Sequence, residues 1–298
     1  MLSIATDYSP HTHRLDSMAD MLNGVGNPDP FLRAIAEAGF THVHWCHHWS
    51  GDFLYTEPEM MHIGHLLENY GLQLADIHGS EGREKFWYSP QEYARQAGVE
   101  LVKNRVDFCA RFGGDAVVMH AYPLPDDPQM SQQQWDCLRR TLDDLRPYCL
   151  ERGVKIAIEN LIDFYGVHFH KLPLDQASDN WPLLERLFEA YEPDFLGLCY
   201  DSGHGNLGFD RMDGFEKVVD RLSVLHLNSN DGSGDQHHNL FVDQLGWERL
   251  AKLVADSPYD KPMSLEVMVS EQDRDEADFL QTAFKTGTEF GEMVKRLS

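Results

Sequence analysis

The stretch Arg152-Gly153-Val154-Lys155-Ile156-Ala157-Ile158-Glu159 contains one complete unit of the pattern that decides the fold of this chain. A helix-like segment ends at the arginine, and the glycine after it is typical of a left-handed residue at a helix end. The apolar run over residues 154–158 predicts a buried strand, which a carboxylate follows directly. The same order of helix end, glycine and strand recurs at Gly39, Gly71 and Gly113.

Strand patterns of this kind recur along the whole chain. They cover Leu2 to Thr6, Thr41 to Trp45, Leu72 to Ile77, Asp115 to Met119, Val154 to Ile158, Phe195 to Cys199, Ser223 to Leu227 and Met263 to Val267. Helical patterns lie between most of them, at Pro30 to Ala38, Pro58 to Tyr70, Ser89 to Phe112, Ser131 to Arg152, Trp181 to Tyr191 and Gly246 to Ala255. Alternating strands and helices indicate a parallel sheet.

Eight strand–helix units close most naturally into a (β/α)8 TIM barrel. An open doubly wound sheet is the alternative, but that fold would need a glycine-rich phosphate turn. The sequence contains neither GxGxxG nor the GxxxxGK motif. We therefore predict an α/β protein with a single TIM barrel domain over residues 1–298.

The charge balance narrows the classes of partner. Lysine and arginine number 25 against 49 aspartate and glutamate residues, which gives a formal net charge of −24. This charge repels phosphate backbones and anionic membrane surfaces, so nucleic-acid and membrane binding are disfavoured. A local basic groove stays open, and a small molecule is the expected partner.

Cysteine usage and the N-terminal residues predict a cytoplasmic protein. The five cysteines are odd in number and never form a CxxC pair, so neither a disulfide framework nor a thiolate zinc site is indicated. The first residues carry no basic segment followed by an apolar run, and no 18-residue apolar stretch occurs.

Residues that could bind a metal stand at or just after the ends of six successive predicted strands. They are His78, His120, Glu159, Asp201, His226 and Glu266. In a TIM barrel these strand ends meet at the C-terminal face, where such barrels hold their sites. His204, Asp235 and His237 lie in the loops that follow Asp201 and His226.

Glu159 and Glu266 directly follow apolar strand residues, where an unpaired carboxylate would be costly to bury. A bound cation would remove that cost. Mixed carboxylate and imidazole ligands suit Zn²⁺, Mn²⁺, Co²⁺ or Fe²⁺, and Mg²⁺ stays open. His42 and His44 are expected on one face of their strand, with a packed role and a site role equally open.

Three motifs carry a resemblance to a known family. Ile156-Ala157-Ile158-Glu159-Asn160, Tyr200-Asp201-Ser202-Gly203-His204 and Leu265-Glu266-Val267 resemble motifs of the xylose isomerase-like TIM barrels. The resemblance spans most of the chain, and that superfamily includes the sugar phosphate isomerases and epimerases. It implies that Glu159, Asp201, His226 and Glu266 hold one divalent ion, as the matching positions do in the epimerases.

A second resemblance points to another branch of the same superfamily. The segment from His226 to Asn239 is closer to the type-IV apurinic endonucleases, which hold three zinc ions. That resemblance implies additional metal ligands at His78, His120, His204, Asp235 and His237. The ligand set thus leaves one, two or three ions open, with one expected.

The acidic balance favours a sugar over DNA as substrate. We expect a metal-dependent sugar or sugar-phosphate isomerase or epimerase, in which Glu159 and Glu266 transfer a proton at a carbon next to a carbonyl. His204, His120 and Trp45 are the predicted substrate contacts.

Two other functions stay open. One is a multi-zinc phosphodiester hydrolase of the apurinic endonuclease type, although Arg83, Lys85 and Lys171 are thin basic support for a DNA groove. The other is a non-catalytic binding barrel. The aromatic segments Phe86-Trp87-Tyr88 and Phe164-Tyr165 could cover a neighbouring subunit's site or their own, so a homo-oligomer is a further expectation from the resemblance.

Overall fold

A computed structural model describes residues 1–8, 27–47, 51–80, 82, 84–169, 171–207, 212–242, 245–269 and 275–298. Arg83, one of the three basic residues considered for a DNA groove, lies outside the described residues.

The strands form one parallel sheet that curls into a barrel. They are β1 (Leu2–Ala5), β2 (His42–Trp45), β3 (Gln73–His78), β4 (Ala116–His120), β5 (Lys155–Glu159), β6 (Leu196–Asp201), β7 (Leu222–His226) and β8 (Met263–Leu265). The pairing order is β7-β6-β5-β4-β3-β2-β1-β8. The barrel closes at a parallel bridge between Leu227 and Leu265, where Leu227 N donates to Ser264 O. The predicted (β/α)8 barrel is confirmed.

Helices surround the barrel. They are α1 (Asp29–Ala38), α2 (Glu57–Tyr70), α3 (Glu92–Arg111), α4 (Pro128–Arg152), α5 (Phe164–Phe169), α6 (Trp181–Ala190), α7 (Ser202–Leu207), α8 (Asp213–Lys217), α9 (Trp247–Asp256) and α10 (Glu276–Leu297), with 3-10 turns at Leu174–Gln176 and Val219–Arg221. The four glycines of the helix-end pattern all have positive φ: Gly39 (101°), Gly71 (65°), Gly113 (83°) and Gly153 (64°). No helix of the described residues is long and apolar enough to cross a membrane.

Side chains on the strands alternate between the inside of the barrel and the layer under the helices. Small residues fill the lower part of the interior, in a cluster of Ala116, Val118, Ala157, Cys199 and Val224. The intervening residues, such as Val117, Ile156 and Leu198, belong to the large core between strands and helices. The inward-facing side chains of these strands therefore lead from this cluster to the C-terminal face of the barrel.

Candidate metal centre

On four strands, the last inward-facing side chain at the C-terminal face is a possible metal ligand. His120, Glu159, Asp201 and His226 lie two residues after the small inward residues Val118, Ala157, Cys199 and Val224, so strand alternation turns them into the same interior. The sequence predicts all four at or just past a strand end, and each is the last residue of its strand. Glu266 follows the last residue of β8.

Four of these side chains form a central group. The ligand atoms of Glu159, Asp201, His226 and Glu266 all lie within 4.8 Å of one another. The register between neighbouring strands brings two of them side by side, because Asp201 pairs with His226. His226 Nδ1 lies 2.9 Å from Glu266 Oε2 and 3.5 Å from Glu159 Oε2.

His78 and His120 share Glu159 with the central group, and the three together are called the first flanking group. His78 Nε2 lies 3.2 Å from His120 Nε2, and His120 Nε2 lies 3.1 Å from Glu159 Oε2. Because His120 pairs with Glu159 in the register of β4 and β5, the strands themselves place this carboxylate between two sets of ligands.

His204, Asp235 and His237 form the second flanking group. His204 Nε2 lies 3.4 Å from Asp235 Oδ2, and His237 Nε2 lies 3.1 Å from Asp235 Oδ1. The loop after β7 reaches back to this place because Ser229 and His238 form an antiparallel bridge. All nine sequence-predicted ligands therefore come together at one end of the barrel.

Backbone carbonyls orient three of the histidines. Nδ1 of His78 contacts Gly79 O at 2.9 Å, Nδ1 of His204 contacts Asn160 O at 3.0 Å, and Nδ1 of His237 contacts Glu266 O at 2.9 Å. A carbonyl oxygen can only accept, so each Nδ1 donates and each Nε2 is directed towards its group. This arrangement is typical of metal-binding histidines, whose second nitrogen is held by a hydrogen bond outside the metal's ligand shell.

The donor set fits a divalent cation. His226 is fully buried, and its Nδ1 has no hydrogen-bond partner of good geometry although it faces two carboxylates. Asn228 Nδ2 donates to Asp201 Oδ2 at 2.7 Å, and the His204 amide donates to Asp201 Oδ1 at 2.6 Å, which fixes that carboxylate. Several buried acids and imidazoles around one point need a positive charge to balance them.

The pKa values of the site residues are displaced by the same crowding. Burial opposes charge on His237, but Asp235 outweighs it and raises the pKa of His237 to about 10. Burial also opposes charge on His204, whose pKa the Asp201 and Asp235 carboxylates nevertheless hold well above its usual value. Burial raises the pKa of Asp201 to about 7, and burial lowers the pKa of His78 to about 4.

Two thiols lie next to the central group. Cys199 approaches Glu159 and His226, and Cys46 approaches His44 and Glu266. Burial raises the pKa of both thiols well above the usual value, so the thiolate form that binds metals is disfavoured. The imidazoles and carboxylates remain the chemically suitable ligands.

A cavity of about 410 Å³ opens above the three groups. It is lined by Asp7, His78, His120, Tyr122, Glu159, Leu161, Phe164, His204, Asp235, His237, Glu266 and Met268. None of these lining residues is a lysine or an arginine, and the acids outnumber the apolar aliphatic side chains. The cavity is large enough for a small polar molecule.

Trp45, which the sequence predicts as a substrate contact, is not among the residues that line the cavity. Trp45 is buried, its Nε1 donates to Tyr55 Oη at 3.0 Å, and its ring stacks on Phe108 with centroids 5.8 Å apart. Because side chains alternate along β2, Trp45 faces the helices, whereas His44 faces the interior and contacts the His226 ring at 4.5 Å.

Several residues of the site were not singled out from the sequence. Asp7 follows β1 and lines the cavity, so the strand-end rule that found the other acids applies to it as well. Asn160 and Asn228 hold Asp201, and the fully buried Asp76 lies below the central group, where it contacts His44. Their roles depend on contacts between distant strands, for which the sequence carries no local signal.

Comparison with known proteins gives similarity over nearly the whole chain. A family model described as "Xylose isomerase-like TIM barrel" matches residues 32–283. An uncharacterized protein of Sinorhizobium fredii, y4fM, is 30% identical over 286 residues, which is 88% of each chain.

Two solved structures illustrate the likeness in fold. A D-tagatose 3-epimerase-like protein has a TM-score of 0.69 at 18% identity and covers 99% of both chains. An L-ribulose 3-epimerase has a TM-score of 0.71 at 13% identity and covers 99% of this chain and 95% of its own. At these identities the likeness shows the fold alone.

Proposed function

Because the chain belongs to the xylose isomerase-like TIM barrels, we propose that it is a divalent-metal-dependent sugar isomerase or epimerase. In this proposal Glu159 and Glu266 transfer a proton at a carbon next to a carbonyl. The substrate is a sugar or sugar phosphate small enough to enter the cavity above the central group. The names of the structural neighbours, which include two 3-epimerases, support this class of reaction.

One observation supports the proposal more than any other. Glu159 and Glu266 belong to the same four-residue group, and both also line the cavity. Two carboxylates that come from different strands and reach the same bound molecule can act on opposite faces of one carbon. One removes a proton and the other delivers one, which inverts the configuration, whereas a single carboxylate acting alone gives isomerisation.

The central group would hold one divalent ion through Glu159, Asp201, His226 and Glu266, and the flanking groups offer ligands for up to two more. Zn²⁺, Mn²⁺, Co²⁺ and Mg²⁺ are the candidate ions for this oxygen and nitrogen set. When bound, such an ion supplies positive charge that makes a C–H next to a carbonyl more acidic.

Side chains of the protein itself are proposed to carry out the remaining steps. His120 and His204 line the cavity and are proposed to hydrogen-bond the hydroxyl or carbonyl oxygens of the sugar. Asn228 and the His204 amide keep the Asp201 carboxylate in place during the reaction. Leu161, Phe164 and Met268 form the apolar part of the cavity wall and limit the access of water to the reacting carbon.

Glutamine variants test the proposed roles of the two glutamates. Glu159→Gln and Glu266→Gln should each lower turnover by about 10²- to 10⁴-fold, the usual contribution of a positioned acid or base. Both should keep much of the bound metal, since the amide oxygen remains a ligand. The assay follows deuterium incorporation from D₂O into a panel of ketoses by NMR, with Glu100→Gln on the exposed part of α3 as the control. Near-normal turnover in both variants would rule the mechanism out.

A second candidate function rests on a separate observation. The nine ligands fall into three groups that share Glu159 or adjoin it, as a three-ion phosphodiesterase would require. The net charge of −24 and the absence of lysine and arginine among the residues that line the cavity disfavour a nucleic-acid substrate. Cleavage of a duplex with an abasic site by the zinc-loaded protein, without exchange in any ketose, would favour this function over the first.

A further inference from the structure

A second pocket adjoins the cavity above the candidate metal centre at a shared wall residue. Tyr122 lines both spaces. The second pocket has a volume of about 320 Å³ and is lined by Phe86, Tyr88, Pro90, Tyr122, Pro125, Met130, Gln133, Gln134 and Cys137. A molecule that is bound above the central group and reaches past Tyr122 would therefore meet the second pocket.

Aromatic rings connect the two spaces. The His120 and Tyr122 rings lie 6.4 Å apart between centroids, and Tyr122 lies 6.4 Å from Phe86 with the two ring planes only 28° from parallel. Phe86 in turn lies 4.3 Å from Tyr88. The half-buried Tyr122 and Phe86 rings together form an aromatic wall, which offers apolar surface of the kind that packs against the C–H face of a sugar ring.

Hydrogen bonds hold this wall in position. The Tyr122 amide donates to Tyr88 Oη at 3.1 Å, and Gln134 Nε2 donates to Tyr122 O at 2.9 Å. The residue that joins the two spaces is thus tied both to the loop before α3 and to the first turns of α4. These hydrogen bonds preorganise the aromatic wall for a ligand.

Polar side chains follow on the far side of the second pocket. Pro90, Gln133 and Cys137 also line an open groove whose other walls are Gln129, Gln132, Asp136 and Arg140. Amide side chains carry both donors and acceptors, as the hydroxyl groups of a sugar require. Arg140 lies 3.4 Å from Glu92, so its charge is already balanced within the protein.

We propose that this path, from Tyr122 through the second pocket to Gln133, is a binding subsite for a neutral glycosyl unit. The glycosyl unit is joined by a glycosidic bond to the sugar whose carbon reacts above the central group, so the substrate is a glycoside larger than one ring. The inference rests on the proposed function for the sugar in the first cavity. A neutral unit fits because the second pocket has no lysine or arginine among its lining residues.

The test compares a ketose with disaccharides that contain it. Fructose, maltulose and isomaltulose are titrated calorimetrically into the metal-loaded protein, into Phe86→Ala and into Gln133→Ala. The control variant is Phe241→Ala, which removes a half-buried ring that packs on Trp247 away from the second pocket. Gln133 is exposed, so its variant tests the subsite even if Phe86→Ala fails to fold.

At least one disaccharide should bind the wild-type protein about tenfold tighter than fructose, on the scale expected for one aromatic contact. Phe86→Ala and Gln133→Ala should lose most of that preference, while Phe241→Ala keeps it. Equal affinity for fructose and both disaccharides, or a preference unchanged in both subsite variants, would overturn the proposal.

Turnover of the same sugars separates this inference from the proposed function. If fructose is turned over and the disaccharides bind no more tightly than fructose, the subsite proposal is contradicted and the proposed function is supported. A preference for a disaccharide that Phe86→Ala abolishes, with no exchange in any ketose, supports the subsite and removes the proposed function.

Discussion

The ring orientation of the site histidines is set by backbone atoms. His78, His204 and His237 each donate from Nδ1 to a carbonyl oxygen, and that bond fixes both the tautomer and the direction of Nε2. The carbonyls belong to residues next to the strand ends, so the barrel itself aims these nitrogens. Little reorganisation is then needed when an ion binds.

Proton release on metal binding tests this arrangement. Burial opposes charge on His237, but the Asp235 carboxylate raises its pKa to about 10, so both ring nitrogens of this imidazole are protonated at neutral pH. A metal ligand must be unprotonated, and metal affinity should therefore fall as the pH falls. Zn²⁺ titrations in buffers of different ionisation enthalpy should show proton release, and His237→Asn should release about one proton fewer. Binding without proton release would contradict this account of the second flanking group.

Below the central group, the buried carboxylate of Asp76 lies between a histidine and a lysine. His44 Nδ1 lies 2.6 Å from Asp76 Oδ1, and Lys261 Nζ lies 2.8 Å from Asp76 Oδ2. His44 and Asp76 are both fully buried. Burial would raise the pKa of Asp76, but Lys261 and His44 outweigh it and hold that pKa below its usual value.

Replacing the Asp76 carboxylate should strongly destabilise the protein. Asp76→Asn removes the buried carboxylate between Lys261 and His44, leaves Lys261 with only the more exposed Asp115 as its acidic partner, and should lower the free energy of unfolding by about 3 to 5 kcal/mol. Asp107→Asn, which breaks an exposed pair with Arg152, should cost less than about 1 kcal/mol. Urea denaturation measures both values. Because the folded-state pKa of Asp76 is depressed, its contribution is present above pH 3.8 and is lost as the pH falls further.

At the scale of elements, the turn from β6 into α7 carries the tightest packing of the site. A Cβ atom added to Gly203 would lie 2.0 Å from Asn228 Oδ1 and 3.0 Å from Asn230 Nδ2. Asn228 donates to Asp201, so the close approach of this turn to the loop after β7 positions a ligand of the central group. Only glycine leaves room for that approach.

Gly203→Ala should therefore weaken metal binding. The added methyl group pushes Asn228 away from Asp201, and loss of such a supporting hydrogen bond typically lowers metal affinity by about 10- to 100-fold. Gly291→Ala on α10 is the control, because its Cβ would meet only Met263 at an ordinary 3.6 Å. Competition with a coloured chelator measures the affinity. Equal affinity in the two variants would show that Asn228 has no such role.

The elements that local pattern encodes are those that the sequence predicted. Apolar runs and helix-end glycines gave the eight strands and the six long helices between them, with ends displaced by a few residues. The short helices α5, α7 and α8 were not predicted, because five or six residues are too few to show helical periodicity. The long C-terminal helix α10 was also absent from the predicted helices. The Asp76–Lys261 contact joins residues 185 positions apart, and no local signal reports it.

At the scale of the molecule, the fold gathers acids from every part of the chain into one interior. The net charge of −24 makes this costly, because Glu159 and Asp201 are buried in a protein that is already strongly negative. Strand order and alternation explain why the six strand-end ligands meet, but the positions of His204, Asp235 and His237 depend on contacts that no local pattern reports. The proposed divalent ion would offset the cost of collecting these groups.

The metal content of the purified protein tests the central claim most directly. After chelation and reconstitution with Mn²⁺ or Zn²⁺, elemental analysis should find at least one ion per chain in the wild-type protein. Glu266→Ala removes a ligand of the central group and should lose an ion, while Glu100→Ala on the exposed part of α3 should retain it. A wild-type protein that holds no ion after reconstitution, or a Glu266→Ala variant that binds as many ions as the wild type, would contradict the metal centre.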